Sequence, residues 1–247
     1  MTVSRAESVS QSGDSDQEHK QSRSELFKEL LVERYSCRAF LPQPVSRETI
    51  TKILRMAQRT ASWCNSQPWQ VTITSGAATD RFRKAFHSHV IEKKGERGDT
   101  DLEFPREYKG IYLDRKRECG FQLYESVGIK RGDREASRVQ ALKNFSFFDA
   151  PHVAVITTED DLGTYGAIDC GAYVSNFSLA ARSLGIATIA QAALASQSVF
   201  VRSFLGLPQN RLVVCGISFG LEDPSHPANA FRTKRATVED AVNWIDN

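Results

Sequence analysis

No Cys-x-x-Cys pair occurs in the chain, and its five cysteines, Cys37, Cys64, Cys119, Cys170 and Cys215, are odd in number and widely scattered. That distribution argues against a disulfide framework and a zinc site, and it predicts a reduced, cytoplasmic setting. No apolar run is long enough to span a bilayer, and the N-terminus is polar rather than signal-like, so no membrane is expected. Charge of one sign is not in excess either: 32 Lys and Arg face 30 Asp and Glu, a net charge of +2. Without a bulk field toward nucleic acid or lipid, any anion binding has to be local.

Several chemical signatures are missing as well. There is no G-x-G-x-x-G after a strand, no G-x-x-x-x-G-K-[ST] and no H-E-x-x-H. His87 and His89 stand two apart, a spacing that splays ligands on a helix, so no metal is expected. A dinucleotide, if used, is not held by a Rossmann turn.

What is present is the composition of a globular protein, 40% hydrophobic and 25% charged over 247 residues. Residues 1–23 are rich in Ser, Gln, Asp and Glu and predict a disordered tail, leaving one domain over 24–247. Leu26, Phe27, Leu30 and Leu31 form one helical stripe ending at Arg34, and Ser46 caps a second helix carrying Ile50, Ile53, Leu54 and Ala57. Strands are predicted over 69–74, 152–157, 186–190 and 211–219, and further helices over 77–94, 138–148, 168–184 and 198–205. Residues 95–138, charged and broken by Gly and Pro, read as an excursion from the core, partly helical near FQLYESV. Alternating strands and helices give α/β or α+β with a central sheet. The helix over 168–184 is rich in small residues (Gly171, Ala172, Ser175, Ser178, Ala180, Ala181), which would let another helix approach closely, in this chain or in a second copy.

Three loop stretches carry the remaining chemistry. RYSCRAF (34–40) sets Arg34, Ser36 and Arg38 two apart, offering two guanidinium forks and a hydroxyl to a phosphate or a polarised carbonyl. ASWCNSQPW (61–69) places amides and a hydroxyl between a helix and a strand, and FRTKRATVED (231–240) is a basic cluster near the C-terminus. Each alone is an ordinary surface feature. Together, R-x-S-x-R-x-F, S-x-x-N-x-Q-P-W and R-x-K-R resemble the flavin-dependent nitroreductase family. The likeness runs through QLYESVGIKRGDREASRVQALKNFSFFDAPHV and DCGAYVSNFSLAARSLGIATIAQAALA, and is nearest to the branch acting on nitrobenzoates and related nitroaromatics.

The resemblance implies an α+β fold with a mixed, mainly antiparallel sheet flanked by helices, and a homodimer clamping FMN at its interface. It implies that Arg34 and Ser36 hold the phosphate and ribityl side, with Arg235 closing on the phosphate and Arg232 ranked behind it. Arg38 matches the position beside flavin N1 and the C2 carbonyl, where negative charge collects on reduction. Ser62 and Asn65 match positions reaching the flavin from the partner subunit, although Ala61 and Trp63 depart from the commonest pattern there. Gln191, Ala192 and Ala193 fall in the loop that approaches N5 and O4 through backbone N–H groups, and Asn144 is a weaker candidate at the ring edge. By the same resemblance, NADPH or NADH donates hydride and a nitroaromatic accepts it in ping-pong turnover, with no side chain named as general acid. Tyr108, Tyr112, Phe121 and Tyr124 are the aromatic candidates for substrate contact. The alternatives are quinone or enone reduction, other flavin-dependent chemistry of the family, and a flavin-binding protein without turnover.

Overall fold

The computed structural model describes residues 22–93 and 98–246. The predicted tail lies outside these up to residue 21, and Ser22 and Arg23 already belong to the first helix. Ser22 caps α1 (Arg23–Glu33) by accepting from the Glu25 N–H, while Glu25 accepts from the Ser22 N–H, a reciprocal capping box. Ser46 caps α2 (Arg47–Ala57) in the same way through the Thr49 N–H. The remaining elements are β1 (Gln70–Ser75), α3 (Ala77–Glu92), α4 (Gly110–Ser126), α5 (Arg134–Leu142), β2 (His152–Glu159), α6 (Gly163–Ser183), β3 (Ala187–Gln191), α7 (Ser198–Leu205) and β4 (Arg211–Gly220).

The four strands lie in the order β1-β2-β4-β3, and every neighbouring pair is antiparallel. The parallel component of the expected mixed sheet is confined to one isolated bridge, Ser36 to Thr188. Strand β2 is buried on both faces, and its alternation sorts side chains between two cores. Ala154 and Ile156 pack with Ile50, Ile53, Tyr173 and Phe177 from α2 and α6. Val153 and Val155 pack with Phe82, Phe86, Phe147 and Val201 from the α3 and α7 side. The result is three layers, helices on either face of one sheet.

The helix predicted over 138–148 stops at Leu142, and Lys143–Asp149 turns more tightly. Phe147, Phe148 and Asp149 have φ of 61°, 50° and 61°, a conformation that costs non-glycine residues energy. Burial compensates: the turn sends Phe147 into the α3–α7 core and Phe148 into a third cluster with Cys37, Phe40 and Ile189. That third cluster seats the segment that follows α1.

Candidate functional site

Helix α1 ends because Arg34 turns extended, at φ −67° and ψ 122°, while its N–H still bonds the Leu30 carbonyl. The chain then runs beside β3, with the Cys37 N–H donating to the Thr188 carbonyl at 3.0 Å. In an extended segment, side chains alternate. Cys37 is fully buried among Phe148, Ala187 and Ile189, and burial pushes its thiol up to about 11. Arg34, Ser36 and Arg38 instead face a cavity of about 630 Å³.

A second segment forms the opposite wall. Buried Asn229 accepts from the Arg38 N–H at 2.8 Å and donates to the carbonyls of Ala39 and Asp223 at 2.9 Å each, which lays residues 231–235 alongside 34–38. Two cation–π contacts interleave the segments: Arg38 lies 5.5 Å from the Phe231 ring centroid, and Arg232 lies 3.6 Å from that of Tyr35. Helix α4 adds Cys119 to the wall, so the excursion reaches the site.

Four arginines, Arg34, Arg38, Arg232 and Arg235, line this cavity, and no carboxylate does among the described residues. Burial holds the Arg34 and Arg38 guanidinium groups below their ordinary range, and repulsion from Arg235 adds to the effect at Arg34. An anion in the cavity relieves both costs. The Ser36 hydroxyl makes no hydrogen bond within the described residues and is free to donate to that anion. Among the described residues no imidazole lines the cavity either. The residues present fit a phosphomonoester-bearing cofactor.

The other residues singled out in the sequence fall elsewhere. Gln191 is buried, and its side-chain amide is spent within the protein, donating to the Asn144 carbonyl at 2.9 Å and accepting from the Ser218 hydroxyl. Asn144 in turn donates to the Ala141 carbonyl. These two are brought together, and Ala192 and Ala193 open the short 3-10 turn Ala192–Gln197 directly after β3. Ser62 and Asn65 do not line the cavity. They belong to a turn in which Cys64, Asn65 and Gln67 have φ of 51°, 55° and 47°, held by the Gln67 N–H to Ser62 Oγ bond and by Asp169 accepting from the Trp63 N–H. Phe121 and Tyr124 line a separate cavity of about 530 Å³ with Arg131, whereas Tyr108 lies under the Lys116 ammonium and Tyr112 is exposed. Tyr35 and Phe231 had no assigned role in the sequence reading. Both adjoin the arginines in sequence, but only the tertiary pairing reveals what they hold.

Residues 31–221 match the description Nitroreductase family. The chain is 32% identical over 218 residues to the nitroreductase NfnB of Mycolicibacterium smegmatis, covering 87% of this chain and 91% of that one. It is 31% identical over 227 residues to a 4-nitrobenzoate reductase of a Nocardioides species, covering 90% of each. Among solved structures, the FMN-dependent nitroreductase NfnB from Mycobacterium smegmatis in complex with NADPH superimposes with a TM-score of 0.83 at 30% identity, covering 88% of this chain and 97% of that one.

Proposed function

The chain belongs to the nitroreductase family, and on that premise we propose that it is an FMN-dependent oxidoreductase reducing nitroaromatic compounds with NADPH or NADH. The observation that carries this reading is the arginine cavity, whose four guanidinium groups and lack of a carboxylate suit a phosphate dianion. Arg34, Ser36 and Arg235 hold the phosphate and the adjoining ribityl hydroxyls. Arg38, fixed in advance by Asn229 and Phe231, faces the pyrimidine edge of the ring, where a preorganised charge stabilises developing negative charge without reorganisation.

Gln191 and Asn144 act through position: their mutual bond sets the turn from which the Ala192 and Ala193 N–H groups face the ring edge. Ser62 and Asn65 serve the flavin of the other subunit in a homodimer, which is why they lie outside their own chain's cavity. The exposed face of α6 supports such a dimer, since Tyr165 and Ile168 continue into Gly171, Ala172 and Ser175. Phe121 and Tyr124 are better placed than Tyr108 and Tyr112 to receive an aromatic acceptor, because they line a cavity. With all five cysteines free, the protein belongs in the cytoplasm.

FMN held by Arg34, Ser36, Arg38 and Arg235 would supply two-electron redox chemistry between the nicotinamide donor and the nitro acceptor, with donor and acceptor using one site in turn. Two rounds take a nitro group through nitroso to hydroxylamine with release of one water, and the protons come from solvent. Initial rates with NADPH and 4-nitrobenzoate test this. Parallel double-reciprocal lines and a hydroxylamine product are expected; converging lines, or an acceptor recovered unchanged, overturn the reading.

A further inference from the structure

Of the basic groups in FRTKRATVED, the one nearest the C-terminal end of the cavity wall, Arg235, is not the one the fold has fixed. Arg235 is exposed, and its Nη1 donates only to Thr233 and to the Lys234 carbonyl, within its own short stretch of chain. Arg232 has hydrogen bonds just as local, but it is also tied to a distant part of the fold, Tyr35. Its Nη1 donates to the carbonyls of Asn229 and Phe231 at 2.7 and 2.9 Å, and its guanidinium plane lies 3.6 Å from the centre of the Tyr35 ring. That leaves its Nε and Nη2 without an acceptor among the described residues while the residue lines the cavity.

The Tyr35 ring is itself fixed. Its hydroxyl donates to Glu222 Oε2 at 2.7 Å, and Glu222 faces Arg182 Nη1 at 3.8 Å. Arg182 donates through Nε to Glu33 Oε2 at 2.9 Å, on the last residue of α1. Glu222 touches the same tyrosine as Arg232, yet it pairs with the Tyr35 hydroxyl and Arg182 and forms no ion pair with Arg232 among the described residues. Tyr35 thus holds the guanidinium by its face and the carboxylate by its hydroxyl, and keeps the two charges apart.

We propose that Tyr35 is a positioning residue for cofactor recognition: it holds Arg232 as a preorganised ligand for a phosphomonoester dianion and diverts Glu222 from neutralising it. The inference rests on the FMN reading above and adds to it a phosphate ligand, Arg232, and the residue that aims it. A guanidinium pinned over a ring loses less freedom on binding an anion than a solvated one, and the ring's electrostatic attraction holds it without consuming its donors.

The test compares equilibrium binding of FMN and of riboflavin, which differ by the phosphate, to the full-length apoprotein by quenching of flavin fluorescence. A side chain that merely packs weakens both ligands alike and leaves their ratio unchanged. In Tyr35→Leu the FMN preference is expected to fall about five- to tenfold, matching the strength of a partly desolvated cation–π contact. Tyr35→Phe, which keeps the ring but releases Glu222 from the hydroxyl, restores only part of the preference. Arg232→Gln lowers the ratio to the same extent, and the Tyr35→Leu, Arg232→Gln double variant loses no more than either single one. Because Arg232 is exposed, its variant folds even if the tyrosine variant does not, and an unchanged ratio in Arg232→Gln overturns the proposal. So does a Tyr35→Leu protein whose preference equals that of the wild type. A wild-type protein that binds riboflavin as tightly as FMN contradicts the phosphate reading itself, and this inference with it.

Discussion

Arg34 and Arg38 carry the account at the scale of single residues, because each is a partly buried cation without a carboxylate beside it in the cavity. A charge-assisted hydrogen bond to an anion contributes about 1.5–3 kcal/mol, so Arg34→Ala or Arg38→Ala should raise the FMN dissociation constant by roughly ten- to a hundredfold. Arg38→Ala should also slow reduction by NADPH if, as proposed, its charge lies beside the pyrimidine edge; rapid-mixing absorbance separates the two effects. Unchanged binding and unchanged reduction would remove Arg38 from the site. A pH effect belongs to this scale too. His152 is buried, stacks on Phe219 and accepts the Val45 N–H at 2.9 Å, and burial holds its imidazole below the ordinary value. The native state therefore binds fewer protons than the unfolded chain once the pH falls below about 6.5, and stability drops with acidification from that point. Thermal melts between pH 7 and 5 should show the decline, and His152→Gln, which keeps an acceptor without titrating, should flatten it. The i, i+2, i+4 spacing of Arg34, Ser36 and Arg38 made their shared face legible in the sequence, since an extended segment has a period of two. The role proposed for Arg232 was not legible there. What distinguishes it from Arg235 is a contact with Tyr35, nearly two hundred residues away along the chain.

Among elements, periodicity and caps located every strand and most helices, and the departures have local causes. Helix α6 begins at Gly163 rather than Ile168, because Gly166 lies against Thr158, where a Cβ would come within 2.5 Å of the hydroxyl; small residues hid that turn from a hydrophobic pattern. Helix α4 fills Gly110–Ser126 of the excursion although it buries no residue completely, so its sequence lacks the apolar stripe that announces a helix. The break at Leu142 is set by two cores that each claim a phenylalanine, information absent from local propensity. The junction of β3 and β4 is where such packing bears on the site. Gly216 pairs with Gln191, and a Cβ there would fall 2.1 Å from Leu194 Cδ2, in the turn that carries Ala192 and Ala193. Gly216→Ala should cost about 1–3 kcal/mol by overpacking, read as a lower midpoint in denaturant. An unaltered midpoint would show that Leu194 moves aside freely, and that the turn is less fixed than its burial indicates.

For the whole molecule, the chain lines the arginine cavity with residues from segments 31–38 and 231–235 and with Cys119, and keeps the Ser62–Asn65 turn outside it. The proposed homodimer joins the two. Exposed Leu26, Phe27, Leu31 and Val32 on α1, Tyr165 and Ile168 on α6, and Val238, Val242, Trp244 and Ile245 near the C-terminus offer it an apolar surface. Ile168 is 57% exposed in the single chain, so Ile168→Asp should leave the subunit's core intact. Light scattering should then report a monomer and dialysis should strip its flavin; a flavin-loaded dimer would contradict the arrangement. The sequence conveyed the family through three motifs, each weak alone, but not how they meet, because the chain segments are joined by tertiary contacts and, in the proposed dimer, by a second copy. The most direct test of the account is an anaerobic absorbance titration of the purified, FMN-loaded protein, first with NADPH and then with 4-nitrobenzoate. The account predicts that the flavin bands bleach with NADPH and return as the nitroaromatic is added. Bands that stay bleached, or a protein that cannot be loaded with FMN, would contradict it.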